Sequence, residues 1–222
     1  MSDLTQNIEI KKYYALNDLD KKLEKYINYD NGFFVELGAN DGVNQSNTLY
    51  FENNKHWKGV LIEPILHNFL ACKLNRSQET KIFCNACVSF GYEEKFVEIL
   101  YSNLMSIPVN LESDIAKPEL HALIGKQFLA SHEENVAVGA VAKTLSSLLL
   151  EAGAPREIDL LSLDVEGAEI EVLNGVDFSL YSFKYMLIEN RNFQKLYDYL
   201  DSRGYEFVEA LSEHDYLFKL RG

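Results

Sequence analysis

Positive charge is in short supply: 21 Lys and Arg stand against 34 Asp and Glu, a formal net charge of −13. A phosphate-backbone partner calls for a basic stripe, so nucleic acid is not an expected substrate. Long apolar runs are missing as well. The longest, Val136 to Ala142, holds seven residues, against roughly 18 for a membrane span, and no membrane partner is expected. Cysteine is scarce and odd in number: Cys72, Cys84 and Cys87 make no disulfide framework, and a reduced compartment suits them better. Cys84 and Cys87 form C-x-x-C, but no second pair or His cluster completes a zinc site, and they read as packed strand residues. The opening Met1-Ser2-Asp3-Leu4-Thr5 offers no basic and apolar leader, so a cytoplasmic protein is the expectation. At 222 residues the chain suits one domain burying roughly 70% of its unfolded surface.

One further lack is a glycine. Phe33-Phe34-Val35-Glu36-Leu37-Gly38-Ala39-Asn40-Asp41-Gly42 reads as a buried strand, a small-residue turn and the approach to a helix from about Ser46. A dinucleotide fingerprint needs G-x-G-x-x-G, whereas this turn reads E-x-G-x-x-x-G. Gly38 and Gly42 allow positive φ and close approach of a ligand to the backbone. An acid at the strand end suits an S-adenosylmethionine site, with Glu36 and Asp41 meeting the ammonium of the cofactor's methionine end. The next strand, Val60-Leu61-Ile62, ends in Glu63-Pro64. An acid there can accept both hydroxyls of a ribose, or it can cap the helix that Pro64 opens.

Along the chain, Asn17 is expected to cap a helix with Leu19, Leu23, Tyr26 and Ile27 on one face, stopped at Asn31-Gly32. Residues 1–32 then form an N-terminal helical segment, packing on the sheet edge or covering the cofactor cleft, and residues 33–222 form the main domain. Ser46 is a plausible N-cap for a helix with Leu49, Tyr50 and Phe51. Pro64 starts a helix with Leu66, Phe69, Leu70 and Leu74 on one side. Lys81 to Phe90 reads as a third strand, with Asn85 and Ala86 where an adenine is contacted, and Phe96 to Tyr101 as a further strand. Residues 102–135 break the alternation and read as an insertion, either a lid or substrate wall or a decorative surface helix.

Thr144 to Ala152 reads as a helix ending at Gly153, and Ile158 to Leu163 as a strand running into Asp164-Val165-Glu166-Gly167. A short helix follows, then a strand from Tyr185 to Ile188 ending in Glu189-Asn190-Arg191-Asn192, a further helix, and two strands joined as a hairpin. The alternation predicts an α/β, Rossmann-like sheet of seven mostly parallel strands flanked by helices, with a C-terminal antiparallel hairpin. Ligands of such sheets bind at the carboxyl ends of the strands, where Glu36, Gly38, Glu63, Asn85, Asp164, Glu189 and Asn190 fall.

Asp164, Glu189 and Asn190 are hard oxygen donors of the kind Mg²⁺ takes. Alternatively the acids cap helix N–H groups or accept from substrate hydroxyls without metal. Asp164, Glu166 and Glu189 are the catalytic candidates, able to take a hydroxyl proton while the site aligns the acceptor oxygen with a methyl group. His132 and His214 are outside choices.

Val-Glu-Leu-Gly-Ala-Asn-Asp-Gly at 35–42, Ser-Asn-Thr at 46–48, Trp57-Lys58-Gly59 with Ile62-Glu63-Pro64, Asn75-Arg76, and the run from Ile158 to Glu169 resemble the FkbM family of methyltransferases. The likeness spans about residues 33–190 and leaves 102–135 without a matching motif. It implies a class I methyltransferase fold and S-adenosylmethionine-dependent O-methylation of a small-molecule hydroxyl, commonly on a sugar or natural product. It also implies that Glu36, Gly38, Asp41 and Glu63 bind the cofactor and that Asp164 and Glu166 line the reaction site; Asn40, Gly42, Ser46, Asn85 and Ala86 complete the candidate cofactor-binding set read from the residues themselves. Two rivals stand beside it: a non-catalytic S-adenosylmethionine-binding protein and an NAD(P)-dependent oxidoreductase. A homodimer is left open.

Overall fold

A computed structural model describes residues 13–222. Eleven strands form among them: β1 (Phe33–Leu37), β2 (Lys58–Ile62), β3 (Lys81–Phe83), β4 (Ala86–Cys87), β5 (Phe96–Leu100), β6 (Ile107–Pro108), β7 (Ala137–Lys143), β8 (Glu157–Leu163), β9 (Ser182–Glu189), β10 (Tyr205–Ala210) and β11 (Asp215–Leu220). The α-helices are α1 (Leu19–Leu23), α2 (Leu49–Lys55), α3 (Leu66–Asn75), α4 (Pro118–Ile124), α5 (Leu145–Ala152), α6 (Glu169–Leu173) and α7 (Phe193–Asp201).

The main sheet has seven strands in the order β10-β11-β9-β8-β1-β2-β3. Its β1, β2, β3, β8 and β9 pair in parallel, while β11 joins β9 antiparallel and carries β10 as a hairpin. The near-continuous apolar runs of β1 and β8 follow from burial on both faces, as helices cover each side of a parallel sheet. Alternation along β1 sends Val35 and Leu37 into a core with Leu145, Leu148 and Leu149 of α5 and Leu196 and Leu200 of α7. Phe34 packs on the opposite face with Leu19, Leu23, Ile27, Phe51 and Trp57. Each such large apolar side chain contributes about 1.5–3 kcal/mol on burial.

The expected N-terminal segment falls partly outside the described residues. Within them α1 is only five residues long, and Asn17 does not cap it, because Asn17 and Asp18 both adopt left-handed backbone (φ 54° and 56°). Asp20 instead collects Tyr14, Ala15 and Lys21 N–H groups.

Two other expectations need correction. The run Lys81 to Phe90 is not one strand: β3 ends at Phe83, and β4 belongs to a second sheet, ordered β4-β7-β5-β6. The apolar side of α3 faces solvent, with Leu66, Leu70 and Leu74 exposed at 63%, 51% and 87%, whereas Asn68 and Cys72 are buried. The helix is turned so that these two meet the β1 and β2 turns: Cys72 Sγ donates to Asn40 O at 2.9 Å, and Asn68 hydrogen-bonds Glu63. Among the described residues no helix is long and apolar enough to cross a membrane, and Cys72, Cys84 and Cys87 are free.

Candidate active site

A cavity of about 330 Å³ opens at the carboxyl ends of β1, β2, β8 and β9, within the range of small-molecule sites, ~300–1,000 Å³. It gathers Glu36, Gly38, Asn40, Ser46, Glu63, Asn85 and Ala86 at one end and Asp164, Glu166 and Glu189 at the other. Asp41, Gly42 and Asn190 do not line it. Among the residues without a site role in the sequence reading, Asn47, Asn68, Arg191 and Asp215 do. Leu16 and Leu19 of the N-terminal segment and Asn103, Leu104, Met105 and Phe128 of the 102–135 insertion also line it.

The β1 turn shapes the first end. Gly38 sits at φ +77°, and a Cβ there would come within 1.9 Å of Asp164 O, so only glycine fits between β1 and β8. Glu36 is 4% exposed, and its carboxylate is heavily engaged. It accepts from Ser46 Oγ (3.0 and 3.1 Å), Asn47 N (2.8 Å) and Thr48 Oγ1 (2.6 Å). Arg76, fully buried, pairs with it at 3.3 Å and with Glu52 at 3.2 Å. The same guanidinium donates to Gly42 O (3.1 Å), Ser46 Oγ (3.2 Å) and Thr48 Oγ1 (2.9 Å). Buried charges persist when paired and hydrogen-bonded in this way. Ser46 Oγ also accepts from Leu49 N at 3.1 Å, which satisfies a free N–H at the start of α2.

Asp41 turns inward on its own loop: Oδ1 accepts from Val43 N (2.8 Å) and Asn44 N (2.7 Å). This local Asx turn engages Oδ1, and Asp41 is not among the residues lining the cavity. Gly42 contributes its φ of +81° and its carbonyl to the loop and has no place in the lining.

At the end of β2, Glu63 is 4% exposed. Burial raises its pKa to about 7, against the opposing pull of bonds from Ile65 N, Asn40 N and Asn68. Its two oxygens accept from Asn40 N (2.8 Å) and Ile65 N (2.9 Å), so Glu63 both caps the entry to α3 and lines the cavity. Asn85 is buried and donates to Val141 O at 3.0 Å, tying the second sheet to the cavity wall.

The other end is crowded with acids. Asp164 is pushed well above the usual carboxylate range, first by burial and then by Glu189, Glu166, Glu169 and Asp215. Glu189 is raised too, by burial first and then by Glu166 and Asp215, and it accepts a hydrogen bond from Asp164. Burial and the neighbouring acids thus favour keeping a proton on Asp164, beside Glu189. Glu166 adopts φ 55° and is flanked by His121 Nε2 at 2.9 Å and Arg191 Nη2 at 3.4 Å. Arg191 Nη2 also lies 3.3 Å from Glu189 Oε1. Behind them Glu169, 1% exposed, accepts from Val165 N (3.1 Å) and Gly167 N (3.0 Å) and fixes the turn; burial lifts its pKa to about 7. The insertion reaches this turn directly, since Asp114 N donates to Gly167 O at 3.0 Å and Asp114 Oδ2 accepts from Arg191 N at 2.7 Å.

These residues do not fit Mg²⁺. Asn190 Oδ1 accepts from Asn192 N at 2.9 Å and its Nδ2 donates to Glu169 Oε2 at 3.4 Å, and Asn190 does not line the cavity. Glu189 already has a guanidinium beside it. Among the described residues no group of three or more His, Cys, Asp or Glu is placed to hold a metal ion. The expected set of Asp164, Glu189 and Asn190 is thus an acid pair and an amide that closes the turn before α7.

Of the histidines favoured as outsiders, neither His132 nor His214 lines the cavity; His121, which the sequence reading passed over, is the one that meets a catalytic candidate. No local pattern marks it, because its partner Glu166 lies 45 residues on. Arg76 and Arg191 were each visible inside a motif, but their ion-pair partners are set by tertiary structure.

Compared with known proteins, the chain matches the methyltransferase FkbM domain over residues 36–207. That span takes in most of the cavity wall, including the insertion, and leaves out Leu16, Leu19 and Asp215. No curated protein matches the chain.

Proposed function

The chain belongs to the FkbM methyltransferase family, and from that premise we propose that it transfers a methyl group from S-adenosylmethionine to a hydroxyl of a small molecule such as a sugar or natural product. The observation that carries this reading is a single cavity with two chemically different ends. Its first end fits the cofactor. Gly38 lets the β1 turn pass against the Asp164 carbonyl with no side chain at the cavity wall, and Glu63 provides a buried acceptor for the two ribose hydroxyls. Glu36 and Ser46 hold the loop, and Asn40, Asn85 and Ala86 form the surrounding wall. When bound, the cofactor supplies a sulfonium methyl that needs no further activation.

The chain's own contribution is alignment and proton handling. Glu189 is ionised by virtue of Asp164 keeping the shared proton, and its raised pKa makes it a stronger base than an ordinary carboxylate. We assign Glu189 as the group that takes the acceptor's hydroxyl proton and Asp164 as its proton-bearing partner. Glu166, held between His121 and Arg191, contributes a hydrogen-bond acceptor for a neighbouring hydroxyl. Residues 102–135 act as a substrate wall, since Met105 and Phe128 line the cavity while Asp114 fastens the insertion to the β8 turn.

Calorimetric titration with S-adenosylhomocysteine, NAD⁺ and NADP⁺ tests the proposal. Micromolar, one-to-one binding of the homocysteine compound alone is expected. A preference for a nicotinamide nucleotide would overturn it in favour of an oxidoreductase. Binding without methyl transfer across a panel of sugar and polyol acceptors would leave a cofactor-binding protein.

A further inference from the structure

Of the two acids expected to meet the ammonium of the cofactor's amino-acid end, Glu36 has both oxygens committed, to Ser46, Asn47 N, Thr48 and Arg76, and Asp41, whose Oδ1 accepts from Val43 N and Asn44 N, does not line the cavity. Asn47 follows both acids in the same loop. Its backbone N donates to Glu36 Oε1 at 2.8 Å and its Nδ2 donates to Ser162 Oγ at 3.0 Å, so it is anchored across β1 and β8. It lines the cavity, and its Oδ1 is buried without a hydrogen-bond partner. A buried acceptor left without a donor keeps its full desolvation cost, and such groups in folded proteins call for an explanation.

Resting on the reading of this cavity as an S-adenosylmethionine site, we infer that Asn47 Oδ1 accepts the ammonium of the cofactor's amino-acid end and that Arg76 is the residue that positions it. An ammonium is a charged donor, and its bond to a fixed neutral acceptor is shorter and stronger than a neutral one. Arg76 sets the acceptor's place by holding the residues on both sides of it: Gly42 O and Ser46 Oγ before, Thr48 Oγ1 after, and Glu36, which takes the Asn47 N–H. The pairing also gives the acid at the end of β1 a role in the loop. Glu36 orders the loop, and the loop presents a neutral oxygen.

The test compares two ligands by calorimetry: S-adenosylhomocysteine, which has the amino-acid end, and 5′-methylthioadenosine, which lacks it. Asn47→Leu is expected to weaken the first about tenfold, the scale of one hydrogen bond to a charged group, and the second by less than twofold. Asn47→Asp, which keeps an acceptor, retains affinity for both. Arg76→Lys weakens S-adenosylhomocysteine and spares 5′-methylthioadenosine, which a general loss of folding would not do. Should Asn47→Leu fail to fold, Asn47→Ala takes its place. Equal losses for both ligands, or an Asn47→Asp protein as weak as Asn47→Leu, would overturn the assignment. Failure of the unaltered protein to bind S-adenosylhomocysteine would instead strike the cofactor reading itself.

Discussion

The two ends of the cavity both bury carboxylates, yet they treat them in opposite ways. At the β1 end Glu36 is surrounded by donors, with Arg76 and three hydroxyl or amide groups around it, and its charge is fully matched. At the β8 and β9 end Asp164, Glu166 and Glu189 face one another with Arg191 as the cation among the lining residues, and two of the three are pushed towards keeping their protons. The first arrangement spends charge on holding a loop still. The second leaves charge under tension, which is the condition in which a carboxylate can take a proton near neutral pH.

The largest expected effect falls on the strained end. Glu189→Gln should lower the single-turnover rate about 10²–10⁴-fold, measured with an acceptor that supports methyl transfer, while S-adenosylhomocysteine affinity stays within twofold. An unchanged rate would remove Glu189 as the base. On the matched end, Arg76→Met strands Glu36 and Glu52 without their cation and should cost about 3–5 kcal/mol of stability by urea denaturation. A loss near zero would mean that the cluster is not the clamp its distances suggest.

Glu63 stands between the two extremes, bonded but still raised to about 7. Ribose hydroxyls donate to the ionised form, so S-adenosylhomocysteine affinity should fall as pH drops below about 7, approaching tenfold per pH unit, and Glu63→Gln should flatten that dependence. The smallest effect is on stability. Glu169 has its pKa raised to about 7 in the fold, above the ordinary Glu value near 4.3, so the native state binds the extra proton. Its contribution is therefore present at low pH and lost as pH rises through about 7. Thermal melts of Glu169→Gln should show less decline between pH 5 and 8 than those of the unaltered protein.

How far the sequence could be read follows the same division. The parallel strands were legible because burial on both faces leaves mostly apolar residues in β1, β2 and β8, and the acids at their ends fell where the topology puts a cleft. Local signals failed where long-range partners decide. The Leu66, Leu70 and Leu74 stripe looked like a core face, but the need to bring Asn68 and Cys72 to the β1 and β2 turns rotated α3 the other way. Asp41 looked like a ligand residue because its side chain's commitment to Val43 and Asn44 is invisible in composition. The second sheet was missed because Ala86–Cys87 and Ala137–Lys143 are too short or too small in side chain to announce a strand, and their pairing is set by distant segments.

The buried guanidinium of Arg76 has a consequence for how the protein can change over time. Glu36, Glu52, Ser46 and Thr48 share one cation through bonds of 2.9 to 3.3 Å, so losing any one of them alone leaves an uncompensated group in the interior. Substitutions at positions 36, 52 and 76 are thus expected to appear together among relatives or not at all. A lineage that replaced the arginine would have to rebuild the whole loop before it could bind its cofactor again.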